Sequence, residues 1–265
     1  MTKVIPLKNS EIEYLLTGRS YKDAILFLHG LGANLSQFEY QQTYFSEYYK
    51  FISVNLRGHG NSSVHDKPTL ATFELSKMAI DVIELLNTLN IKRVHFVGNS
   101  MGGNVGYEIL RVAPQILGSF TTFGTTASLN TSKLALKMMT YTYKILSTNA
   151  IGNLSKAAGQ TSASKKKIKE MIAQVDKQTL RAILPNIANF NYLHTIKTSN
   201  LPCMIIKGAL DKSINKVLES TIAAFKKRGN FKMIELQGVG HLANLDCPNV
   251  FNKTLSEFIT NKKEQ

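Results

Sequence analysis

Ser100 stands at the centre of Gly98-Asn99-Ser100-Met101-Gly102-Gly103, directly behind the apolar run Val94-His95-Phe96-Val97. A serine hydroxyl is a poor nucleophile at neutral pH. Covalent chemistry needs it clear of its surroundings, beside a base and beside donors for a developing oxyanion. The G-x-S-x-G arrangement supplies the first need, because a strand turns sharply into a helix and small flanking residues let the two approach. Residues 104–110 continue the motif as a helix.

Such a serine requires an imidazole base and a carboxylate that fixes the imidazole. Position sorts the six histidines. His95 lies inside the strand before Ser100, and His65 and His194 stand in sequence without catalytic context. His59, within Arg57-Gly58-His59-Gly60-Asn61-Ser62, suits a role in holding loops together. His241 follows Gln237-Gly238-Val239-Gly240 after the last apolar strand, where a loop can carry an imidazole over the sheet's carboxyl edge. It is the base candidate. Asp211 closes Lys207-Gly208-Ala209-Leu210-Asp211 just beyond another strand, at the edge where open α/β sheets place their chemistry. Its rival Asp246 precedes Cys247-Pro248 and is expected to serve the N-terminus of the last helix.

The elements that must position these groups follow a strand-then-helix rhythm. Alternation over 11–16 predicts an antiparallel strand, and the continuous apolar run 24–28 a buried parallel one. Strands are predicted at 51–55, 93–97, 119–123, 202–206 and 231–236, and amphipathic helices at 73–89 and 249–260. This rhythm argues for a doubly wound, mostly parallel sheet of about eight strands with helices on both faces. Residues 125–200 break it with a lysine- and methionine-rich helical pattern, which reads as a cap inserted into a core of 1–124 and 201–265. Leu134, Leu136, Met138, Met139, Tyr141, Tyr143, Ile145 and Leu146 crowd too closely for one narrow stripe, which leaves two equal readings: part of them faces the main domain across a pocket, or they form ordinary core.

The chain has 265 residues and a net charge of +14. Residues 125–200 hold eleven Lys/Arg against Glu170 and Asp176, a net +9. No nucleic-acid-binding motif accompanies them, so a solvated basic face is the first reading. An anionic substrate or weak contact with an anionic membrane surface are the roles it leaves open. Cys203 and Cys247 show no metal-ligand or C-x-x-C spacing. The first residues turn polar before any apolar stretch of signal-peptide length, which leads to the expectation of a cytoplasmic protein.

Ser100, Asp211 and His241, in that order and on these elements, resemble the α/β-hydrolase family. His29-Gly30-Leu31-Gly32 and Arg57-Gly58-His59-Gly60 resemble two of its loops, so the likeness spans nearly the whole chain. The resemblance implies an oxyanion hole made by the backbone N–H groups of Leu31 and Met101. It also implies acyl transfer through an acyl-enzyme without a metal or organic cofactor, on a small ester or other acyl substrate. Hydrolysis of a C–C bond in a dienone acid, thioester hydrolysis, and service as a hydrolase-fold ligand sensor are the alternatives. The first of these would need Arg181 or a cap lysine turned inward.

Overall fold

The five residues Ala24–Leu28 are all buried, and they alternate between two cores: Leu26 and Leu28 face one, Ile25 and Phe27 the other. A strand covered on both faces needs apolar side chains at every position, which explains the unbroken run. The computed structural model describes residues 1–18 and 23–260.

In chain order the strands of the main sheet begin with β1 (Lys3–Pro6), β2 (Ser10–Thr17), β3 (Ala24–Leu28), β4 (Lys50–Val54) and β5 (Ser63–Val64). They continue with β6 (Val94–Asn99) and β7 (Leu117–Phe123). A separate antiparallel pair, β8 (Ser128–Asn130) and β9 (Asn189–Asn191), precedes the last two main-sheet strands, β10 (Cys203–Gly208) and β11 (Phe231–Leu236). The main sheet runs β1-β2-β4-β3-β6-β7-β10-β11, with β5 paired to β2. The β1-β2 and β2-β4 ladders are antiparallel, whereas every pairing from β4 to β11 is parallel.

The helices are α1 (Glu39–Phe45), α2 (Leu75–Thr88), α3 (Met101–Val112), α4 (Lys133–Ile145), α5 (Thr148–Ser155) and α6 (Ser162–Ala173). They continue with α7 (Lys177–Ile183), α8 (Leu193–Thr198), α9 (Lys212–Asn215), α10 (Glu219–Lys226), α11 (Ala243–Asp246) and α12 (Pro248–Thr260). One core packs α2, α3 and α10 on the sheet through Met78, Val82, Val105, Ile109 and Phe225. The other packs α1 and α12 through Phe45, Phe251, Leu255 and Phe258. Both layers follow from helical spacing of apolar residues.

From β3 the chain first moves to β4 on one side and later returns as β6 on the other, which makes the carboxyl ends of β3 and β6 a topological switch point. Between β7 and β10 the chain leaves the sheet through α4 to α7. The segment is not wholly helical: β8 and β9 close its base, and α8 returns to pack on α3 and α10. Among the described residues, no helix is long and apolar enough to cross a membrane.

Candidate active site

Ser100 occupies the tip between β6 and α3 with φ 50° and ψ −119°, a conformation sparsely populated by residues with a Cβ. Its N–H donates to Phe123 O at 3.1 Å, and its carbonyl accepts the Asn104 N–H at 3.2 Å. The flanking glycines permit the close approach: a Cβ at Gly98 would lie 2.7 Å from the Gly103 backbone, and one at Gly102 would strike the Leu28 carbonyl. Helix α3 therefore rests on the end of β3, directly beside the His29–Gly32 turn.

Asp211 caps α9 after β10 and is 5 % exposed. One carboxylate oxygen accepts from Ser213 Oγ at 3.0 Å and the Ile214 N–H at 3.4 Å; the other accepts from His241 Nδ1 at 2.8 Å. Burial pulls this carboxyl upward, yet the bonds from His241 and Ser213 outweigh it and leave it below the ordinary carboxylate value. With Nδ1 donating to a carboxylate, His241 keeps Nε2 as its free acceptor.

Two connections hold His241. Its N–H donates to Ala158 O at 3.0 Å, and its carbonyl accepts from Asn99 Nδ2 at 3.3 Å. Asn99, buried in β6, also donates to Phe123 O and accepts from Gln37 Nε2. Sequence reasoning passed over this residue, although a polar side chain in a buried strand was the available signal.

Asp246 departs from its expected place. It ends α11 rather than starting the last helix, and its carboxylate accepts the N–H groups of Gln160 (2.7 Å) and Gly240 (2.9 Å) and the Ser164 hydroxyl (2.6 Å). The loop before His241 is thereby tied to the segment between β7 and β10.

The turn after β3 lies against the serine. A Cβ on Gly30 would sit 3.2 Å from Ser100 Cβ. The N–H groups of the two residues that follow Leu31 are taken by His59 Nε2 (Gly32, 3.2 Å) and Gly30 O (Ala33, 3.1 Å). Met101 opens α3, where helix geometry leaves the N–H without an intrahelical acceptor. His59 holds the turn as a buried ring, and the neighbouring Arg57 is fixed by a buried ion pair with Asp81 at 2.6 Å. His95, half-buried in β6, bonds Ser119 Oγ at 2.9 Å.

Ser100, Leu31, Asp211 and His241 border one pocket of about 700 Å³. Its remaining wall is mainly apolar and includes Met139 and Tyr143 from α4, Ile151 and Leu154 from α5, Ile168, Met171 and Ile172 from α6, and Leu180 from α7. Lys212 is the one cation on this wall among the described residues, and Arg181 is not part of it. A second hollow of about 180 Å³ meets the first at Ser100 and Met139, lined by Met101, Asn104, Leu129, Leu184 and Phe190 among others. The crowded apolar residues of α4 divide: Met139 and Tyr143 turn to the pocket, while Leu134, Met138, Tyr141 and Ile145 face solvent. Among the described residues no His/Cys/Asp/Glu group is arranged to hold a metal ion.

The sheet order, the serine turn and the residues at its carboxyl edge define an α/β hydrolase. Residues 23–248 match the family model of the alpha/beta hydrolase fold, and the chain belongs to that family. Its curated relatives include 3-oxoadipate enol-lactonase 2 of Acinetobacter baylyi, 37 % identical over 36 % of this chain and 34 % of that protein. The chain thus spans only about a third of that relative's length. 3-Oxoadipate enol-lactonase 1 of the same organism is 22 % identical over 92 % of this chain and 91 % of that one. Among solved structures, an enol-lactonase from Burkholderia xenovorans superposes with a TM-score of 0.86 at 19 % identity, covering 97 % of this chain and all of its own, a likeness of fold alone.

Proposed function

We propose that this chain is a serine hydrolase of carboxylic esters, with residues 125–200 as the cap that selects the substrate. Ser100 Oγ attacks the ester carbonyl while His241 Nε2 takes its proton, and Asp211 holds the imidazole and stabilises its charged form. The N–H groups of Leu31 and Met101 receive the oxyanion. The tetrahedral intermediate expels the alcohol, protonated by His241, and water then hydrolyses the acyl-enzyme.

The observation that carries this reading is the 2.8 Å bond from His241 to a buried Asp211, bordering the same pocket as the strained Ser100. The two hollows meeting at Ser100 suit the two sides of an ester, a longer apolar acyl chain in the larger and a small alcohol in the smaller. An apolar wall with a single cation favours an uncharged substrate over a dienone acid. Enol-lactones, on which two matched relatives act by their names, are cyclic esters, which fits the same bond type.

The test is hydrolysis of p-nitrophenyl esters from acetate to palmitate by the wild type and by Ser100→Ala. Multiple turnover is expected in the wild type, strongest at intermediate chain length, with loss in Ser100→Ala and an unchanged circular dichroism spectrum. Turnover that survives the substitution removes Ser100 from the role. Wild-type inactivity on every ester moves the reading to C–C hydrolysis or to a sensor.

A further inference from the structure

Helix α4 wears its apolar stripe on the outside. Leu134, Met138, Tyr141 and Ile145, at spacings of four, three and four residues, fall within an arc of about 60°. They are 69 %, 63 %, 60 % and 59 % exposed. Such a stripe normally packs inward, and here no residue of α4 is fully buried. Lys133, Lys137 and Lys144, all exposed, form a second stripe along one flank of the first, roughly 60–100° around the helix. On another side of the same helix Met139 meets the pocket, and Leu154 of α5, 63 % exposed, lies on its wall. The stripe itself is therefore not part of the pocket wall.

We propose that this face of α4 docks on the surface of an anionic lipid membrane, with the four apolar side chains entering the headgroup boundary and the three lysines meeting lipid phosphates. An interfacial helix has this composition, an apolar stripe beside a basic one. Charge selects the occupant: the segment 125–200 carries a net +9. A second copy would bring the same lysines against one another, and an acidic protein alone would leave the apolar stripe unexplained.

The docking does not depend on the catalytic reading, because it is measured without turnover. The full chain is floated with vesicles of phosphatidylcholine alone and of phosphatidylcholine mixed with phosphatidylglycerol, at low and high salt. Flotation is expected with the anionic vesicles, weakening as salt screens the lysines. Lys133→Gln/Lys137→Gln/Lys144→Gln should weaken it by about 10²-fold, each surface lysine contributing roughly fivefold. Met138→Asp/Tyr141→Asp should abolish it while the circular dichroism spectrum and thermal midpoint stay those of the wild type. Both sets lie at exposed positions, and the lysine set keeps the test intact if the aspartates disturb the helix. Failure to float with anionic vesicles at low salt overturns the proposal. So does flotation that neither variant weakens, or a dimer in sedimentation equilibrium that Met138→Asp/Tyr141→Asp dissociates.

Discussion

Two carboxylates flank His241, Asp211 at 2.8 Å in space and Asp246 five positions on in sequence, and their surroundings give them different work. Asp211 receives the imidazole Nδ1–H, whereas Asp246 receives main-chain N–H groups from Gln160 and Gly240. On the proposed mechanism Asp211→Asn keeps the shape but loses the charge that stabilises an imidazolium, so kcat should fall by about 10⁴-fold with KM little changed. Asp246→Asn cannot accept all of its bonds and should cost about 1–3 kcal/mol of stability, read by urea unfolding, with a kcat loss of ~10-fold or less. The reverse ranking would give the acid role to Asp246. That Ser100, Asp211 and His241 would meet at one edge of the sheet was legible in the sequence, because each follows an apolar strand and stands beside glycine or a turn. The duties of Asn99 and Asp246 were not, since His241 lies 142 positions from the one and Gln160 86 positions from the other, and only folding brings them together.

Elements reveal a different limit. The strands were legible where both faces are covered, because a run such as Ala24–Leu28 admits no polar break. Helix α4 was legible as a helix, but spacing fixes which residues share a stripe and says nothing of which way the stripe points. The pair β8 and β9, three residues each, is too short for alternation to show. At this scale Gly102 offers a prediction whose sign runs against helix propensity. Alanine in place of a helical glycine ordinarily stabilises by about 1 kcal/mol. Here its Cβ would run into the Leu28 carbonyl, which is backbone and cannot turn aside. Gly102→Ala should therefore destabilise the protein by more than about 2 kcal/mol, measured by urea denaturation, and a more stable variant would mean that α3 can lift from β3 freely.

Acid reaches the whole molecule through His29 and His59, whose rings lie 4.8 Å apart in the interior. His59 Nε2 accepts the Gly32 N–H and His29 Nε2 the Leu56 N–H, so each is held as a neutral ring with its proton on Nδ1. Burial pushes His59 down to about 4, and burial together with the neighbouring His59 pushes His29 well below its usual value. An unfolded histidine takes up its proton near pH ~6.5, which the folded His59 refuses until about pH 4. In that window the unfolded state binds more protons, so stability is flat above about pH 6.5 and declines as pH falls toward 4. His59 alone accounts for about 3 kcal/mol of that decline. Thermal denaturation across this range should show the slope, and His59→Gln should flatten it. An unchanged slope would place the acid sensitivity elsewhere. Because the Gly32 N–H bond is among those lost on protonation, acid should loosen the turn carrying Leu31 as well.

The main-chain bond from His241 to Ala158, together with the Asp246 carboxylate shared between Gly240 and Gln160, bears on how this protein could be re-engineered or could have diversified. A segment that only shaped a pocket could be exchanged between homologues as a module. Here a graft replacing residues 125–200 must also supply the Ala158 carbonyl and the Gln160 N–H, which tie down the main chain around His241. On the proposed function, a transplant that keeps those two backbone groups in register should transfer substrate preference, whereas one that moves them should loosen the His241 loop on that side and lower turnover.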